Sequence, residues 1–147
     1  MESSVARIEN SEAVTSVFGY RPSFHDAEVL ELVARRDGSG PGRASVLARV
    51  HLFEMTNEVK PDGFFLCHKH CTITLVFEDA DEFHAEGFNH QNALAGLRIE
   101  EREPSGYLLV EFQGAHGLEA SLVCRSISVN SIVLGIPAGS VYSAEKA

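Results

Sequence analysis

The densest polar cluster of the chain is Phe24-His25-Asp26-Ala27-Glu28, an imidazole and two carboxylates between a proline-bearing connector and a strand-like run. Asp26 and Glu28 lie two apart, so in an extended segment they face one side, as a paired general acid and base require. The same residues also suit a purely structural role. An aspartate at the start of a strand can accept backbone hydrogen bonds, and a neighbouring histidine can pack on the turn. On that second reading Asp26 is a structural acceptor ahead of the first strand.

A second cluster, Cys67-His68-Lys69-His70-Cys71, carries the residue types of a metal site. Two histidines at i, i+2 on a strand point to one face and their imidazoles could share an ion. In a regular strand Cys67, Lys69 and Cys71 face the other side, so the five residues cannot form one four-ligand site. A third ligand would have to come from His51 on a neighbouring strand, or from His25 with Asp26. With two aligned ligands in sight, solvated strand histidines are expected and no metal is assigned. The third cluster, Asn89-His90-Gln91-Asn92, offers amides that both donate and accept hydrogen bonds. It suits recognition of a partner, or a turn whose amides bond the neighbouring backbone.

Short enzyme signatures are missing from the sequence: there is no Gly-x-Ser-x-Gly elbow, no phosphate loop and no Rossmann fingerprint. No catalytic residue and no cofactor are therefore assigned. The candidate binding residues are His25, Asp26 and Glu28 in the first cluster and Asn89, Gln91 and Asn92 in the third.

The elements that must position these residues follow from periodicity. Ser11 stands where an N-cap would, Glu12 puts a carboxylate in the first turn, and Ala13, Val14, Val17 and Phe18 form an apolar stripe before Gly19. Pro22 then ends any helix. The period changes to two at Leu30, Leu32 and Ala34, the first strand. Asp37 to Gly42 supplies turn chemistry, and Val46, Ala48, Val50 and Leu52 alternate with Arg49 and His51 in the second. Lys60-Pro61-Asp62-Gly63 marks a turn before a long third strand, Phe64 to Phe77. Phe83 to Phe88 is a short strand, Leu97 and Ile99 resume the pattern, and Tyr107 to Gln113 follows. Leu118 to Cys124 is extended by Ile127 and Val129 after a kink. Strands joined by short turns predict an α+β domain, predominantly an antiparallel β-sheet, curled or sandwich-like, with a short N-terminal helix. The whole chain, 1–147, reads as one domain, with a flexible tail over 138–147.

A chain of 147 residues with 44% hydrophobic and 22% charged residues can bury one core. Its apolar runs are far shorter than the roughly 20 residues that span a bilayer, and its N-terminus is polar, so a cytoplasmic location is expected. Three cysteines, an odd number, read as reduced buried thiols. The net charge of −9 disfavours nucleic acid and anionic membranes; it would speed encounter with a basic partner, and it equally suits solubility alone.

At Pro22-Ser23-Phe24-His25-Asp26-Ala27-Glu28-Val29, and again at Gly87-Phe88-Asn89-His90-Gln91-Asn92, the chain resembles the immunity protein fifty family of bacterial polymorphic toxin systems. The order and spacing of the two blocks agree, and with the strand-rich region between them they cover most of Phe18 to Val129. The resemblance implies a small cytoplasmic α+β domain that binds and neutralises a toxin domain, with no catalytic residues or cofactor. It implies a cognate toxin domain as partner, such as a basic nuclease. Phe24, His25, Asp26 and Glu28 match the first block; Phe88, Asn89, Gln91 and Asn92 match the second. Two alternatives stand beside it: a metal-dependent enzyme built on His68 and His70, with His25 or Asp26 and a base at Glu28, and a housekeeping interaction module.

Overall fold

The computed structural model describes residues 8–36 and 44–140. The apolar stripe near the N-terminus becomes α1 (Glu12–Phe18), which buries Val14 and Phe18. Ser11 holds the N-cap position without a capping bond from its hydroxyl. Gly19 closes the helix at φ 83°, its amide 2.7 Å from Thr15 O. A residue without Cβ takes that left-handed conformation at little steric cost.

Eight strands follow: β1 (Glu28–Arg36), β2 (Ala44–Val59), β3 (Phe65–Glu78), β4 (Asp81–Glu86), β5 (Leu94–Arg102), β6 (Tyr107–Gly114), β7 (Glu119–Cys124) and β8 (Ser126–Leu134). They form two four-stranded sheets, ordered β1-β2-β3-β8 and β4-β7-β6-β5. Every strand pairing is antiparallel. The expected α+β domain with a predominantly antiparallel sheet is borne out, in a two-sheet form. The turn anticipated at 37–42 lies outside the described residues.

The kink expected between Cys124 and Ile127 is where the chain changes sheets. β3 passes into β4 through Asp79 and Ala80, and β7 passes into β8 through Arg125, whose amide donates to Glu78 O at 2.9 Å. β3 pairs with β8 and β4 with β7, so two neighbouring strands turn the same corner together. One core lies between the sheets. Val46, Ala48, Val50 and Leu52 of β2 and Ile73, Leu75 and Phe77 of β3 meet Val110, Phe112 and Leu122 of the second sheet. Phe77 and Phe112 pack edge to face with centroids 5.9 Å apart.

Period-two alternation puts Val46, Ala48, Val50 and Leu52 inward as predicted and sends Arg49 and His51 to the opposite face. In β1 the prediction slips by one residue. Val29, Leu32 and Ala34 oppose Val50, Ala48 and Val46, and a bulge between Val29 and Glu31 takes Leu30 out of the row. A bulge adds a residue to one strand without changing composition, so the alternation alone did not reveal it.

Candidate functional site

The two sequence blocks meet. Asp26 N donates to Leu94 O at 2.8 Å, Leu94 N to Ala27 O at 2.9 Å, and Val29 N to Asn92 O at 3.0 Å. These bonds stitch the start of β1, in the first sheet, to the start of β5, in the second. Asn92, 5% exposed, completes the stitch with its side chain: Nδ2 donates to Val29 O at 3.0 Å and Oδ1 accepts from Asn89 N at 2.8 Å. Asn89 continues the run of bonds, its Nδ2 donating to Gly87 O at 2.7 Å and to His116 O at 2.9 Å, while its Oδ1 accepts from Gln91 N at 2.7 Å. Gly87 is required here. Its φ is 71° and a Cβ would lie 2.0 Å from Gly117 O. The Asn89 and Asn92 amides of the second block therefore bond backbone, the turn-like arrangement that their chemistry allowed.

Asp26 is held differently from the sequence expectation. Its φ of 70° breaks the strand alternation, so its carboxylate does not share a face with Glu28. The Asp26 backbone amide, rather than the carboxylate, makes the backbone bond, and the side chain turns to His25, Oδ2 lying 3.1 Å from Nδ1. His25 is exposed. Glu28 instead is buried, at 4% exposure, and faces away from the core beside its cross-strand partner His51.

Glu28 anchors a network of polar side chains on the outer face of the first sheet. His51, fully buried, places Nδ1 2.6 Å from Glu28 Oε1 and Nε2 2.9 Å from His70 Nδ1. The two imidazoles stack at 5.1 Å, and Phe53 flanks both. Against an ionised Glu28, which only accepts, Nδ1 of His51 is the donor, and Nε2 of the neutral ring then accepts from His70. Ser140, 4% exposed, donates its hydroxyl proton to the same Glu28 oxygen. The segment after β8 thus folds back over this face, with Gly135 N donating to His70 O at 2.8 Å. Ser140 lies in the stretch expected as a tail; residues 141–147 lie outside the described residues.

The arrangement contains a serine, a histidine and a carboxylate, but not in the order that activates a nucleophile. A catalytic serine gives its proton to an imidazole nitrogen that a carboxylate orients from the far side. Here Ser140 Oγ lies 3.4 Å from His51 Nδ1, the same nitrogen that meets Glu28 at 2.6 Å, so serine and carboxylate stand on one side of the ring and the far nitrogen faces a second histidine. The geometry fastens a segment over a sheet.

His68 and His70 do not share a face. The pairing of β2 with β3 shifts between Leu52 and Glu54, and Lys69 absorbs the extra residue at φ 57°. His70 turns to His51, while His68 goes to the opposite side and meets Glu54 Oε1 through Nε2. The hydroxyl of Tyr20 donates to the other Glu54 oxygen, and Lys69 Nζ stands 3.5 Å from that oxygen and 3.0 Å from Phe18 O. The hydrogen bond to Glu54, then partial burial and the nearby negative charge, push the Tyr20 phenol up to about 12. Tyr20 and His68, as donors, hold the Glu54 carboxyl below its usual range. Burial pushes the Cys71 thiol up to about 11 and that of Cys124 to about 12, so neither supplies a thiolate at neutral pH.

Of the six candidate binding residues, Glu28 and Asn92 are buried, Asn89 and Gln91 are half-buried in the turn, and His25 and Asp26 remain near the surface. His51 was named in the sequence as a possible third ligand and does meet His70, through a hydrogen bond. Ser140, Tyr20 and Glu54 were not singled out. A buried carboxylate needs partners, but nothing local to Ser140 marks it as one.

These features define a two-sheet antiparallel domain fastened by two motif blocks and by a buried Glu-His-His-Ser network. The model of the Immunity protein 50 family matches residues 10–135, from the start of α1 to the end of β8, and the chain belongs to that family. No curated protein and no solved structure matches the chain.

Proposed function

We propose that this protein works in the cytoplasm as an immunity protein, binding one cognate bacterial toxin domain per copy and blocking it without turnover. The observation that carries this reading is family membership across nearly the whole folded chain. Three features of the site support a binding role over a chemical one. The Asn89 and Asn92 side chains of the second block bond backbone, the hydroxyl of Ser140 is directed at Glu28, and burial keeps the Cys71 and Cys124 thiols protonated. The alternative of a metal-dependent enzyme needs His68 and His70 on one side of the strand, and the bulge at Lys69 parts them.

The net charge of −9 favours a basic toxin, such as a nuclease built to hold a phosphate backbone. Association should then be fast at low salt and slow as salt is added, with dissociation changing less. Co-expression with the toxin domain encoded by the adjacent gene tests the reading. Survival of the host, co-purification of the two chains and a salt-dependent on-rate are expected. Host death despite abundant folded protein would defeat the immunity assignment.

A further inference from the structure

The first sheet carries an arm that leaves the rest of the domain. β1 stays with β2 only as far as the pair Glu28 and His51, and β8 stays with β3 only as far as Leu134 and Cys71. Beyond those pairs β2 and β3 run on with each other, out to the turn at Lys60-Pro61-Asp62-Gly63. Among the described residues, neither sheet partner borders this hairpin. The turn is well fixed: Lys60 N donates to Phe64 O at 2.7 Å, Gly63 N to Lys60 O at 2.9 Å, and Phe64 N to Asp62 Oδ1 at 3.0 Å.

Sequence chemistry and position disagree on this arm. Met55 pairs with Cys67 and Val59 with Phe65 across a register shift on β2, and Phe65 and Cys67, two apart on β3, share the face on which their partners lie. A solvated hairpin face would carry polar residues, yet Val59 is 60% exposed, Phe65 48% and Met55 46%, and Phe64 at the tip is 71% exposed. Five of the nine large apolar residues exposed among the described residues fall within 55–66. Large exposed apolar side chains gathered in one segment in this way mark a place where another molecule sits. The base is rigid, because Tyr20, His68 and Lys69 converge on Glu54 where the arm leaves the core.

We infer that this β2–β3 arm is the surface that docks the toxin, its apolar face and Phe64 entering an apolar hollow with a basic rim. The inference rests on the immunity reading above and adds where the partner binds. Charge on the arm points to that partner. Lys60 is held 3.4 Å from Asp62 and Lys69 3.5 Å from Glu54, so both lysines are engaged by the arm's own carboxylates. Glu58 adds a further exposed carboxylate beside Val59. With those pairs compensated, Glu58 leaves the arm one net negative charge beside its apolar side chains, which, in a chain of net charge −9, suits a basic protein and repels a polyanion. Neither motif block lies on it. The blocks fasten the fold that the family shares, whereas a surface that selects one toxin can vary independently of them.

The toxin domain encoded beside this protein, inactivated so that it can be purified alone, is the probe. Its affinity is measured by calorimetry for the parent, for Phe64→Ser with Phe65→Ser, for Val59→Thr, and for Gln113→Ala on the outer face of the second sheet. The double variant should bind at least about 30-fold more weakly, as loss of interface anchors does. Val59→Thr, which keeps the β-branched shape, should weaken binding in the same direction with an unchanged melting temperature, and Gln113→Ala should bind like the parent. Parent-like binding by both arm variants overturns the docking assignment while leaving the immunity reading intact. A parent dimer that the double variant disrupts with no change in toxin affinity overturns it too, and makes the arm a contact between copies of this chain. A parent that does not bind the toxin at all defeats both.

Discussion

Replacing Asn92 with alanine removes the side chain that ties the two sequence blocks together. Two bonds are lost, Nδ2 to Val29 O at 3.0 Å and Asn89 N to Oδ1 at 2.8 Å. The site is 5% exposed, so water cannot readily replace them. A buried polar group left without its partner costs about 1 to 3 kcal/mol, and the half-buried Asn89 amide regains some solvation, so about 2 to 4 kcal/mol is expected in total. For a domain of this size that corresponds to a fall of roughly 5 to 15 °C in melting temperature. Asn92→Asp separates shape from bonding: it retains the acceptor for Asn89 N but turns an oxygen toward Val29 O, and should be no more stable than the alanine variant. Gln91→Ala is the control, since the bond to Gln91 shown here uses its backbone amide. Urea melts with unchanged slope read the difference directly. If Asn92→Ala melted within about 0.5 kcal/mol of the parent, the range of neutral surface substitutions, the stitch between the sheets would not be what the block is for.

Ser140→Ala should lower stability by about 1 to 2 kcal/mol, because it removes a donor from a buried carboxylate, and should raise proteolysis after β8; equal melts and equal cleavage would show that the segment is not fastened there. The Tyr20 phenol should ionise near 12 in an ultraviolet titration and move back towards 10 in Glu54→Gln, whereas an unmoved transition would rule out the hydrogen bond as its cause. The signs of the pH dependence follow. Tyr20, whose folded pKa is raised, contributes stability that is complete below its unfolded value near 10 and fades as the pH rises towards about 12. Glu54, whose pKa is lowered, contributes above the ordinary carboxylate range and loses that contribution as the pH falls through its depressed folded value.

Much of the fold was legible because alternation and turn chemistry are local. Val46 to Leu52 read as a row on one face and is the inward row; Lys60 to Gly63 read as a turn and is one. The site was less legible because bulges decide it. One unpaired residue at Leu30 and another at Lys69 reassign every neighbour to the other face, and so separate Leu30 from Leu32 and His68 from His70. The strained backbone at Asp26 does the same to the carboxylates of the first block. Long-range partners were hidden for a different reason. Ser140 meets Glu28 across 112 positions of sequence, and Asn92 meets Val29 across 63, distances at which no periodic pattern carries information.

The central claim is a stoichiometric blockade, and titration of toxin activity tests it most directly. A fixed amount of the toxin domain, well above the dissociation constant, is assayed with increasing amounts of this protein. A straight fall in activity reaching zero at one copy per toxin, with a one-to-one complex in native mass spectrometry, is the predicted result. Complete inactivation at a small fraction of one copy would mean that the toxin is being chemically altered, and undiminished activity at a several-fold excess would mean that the protein is not its antagonist.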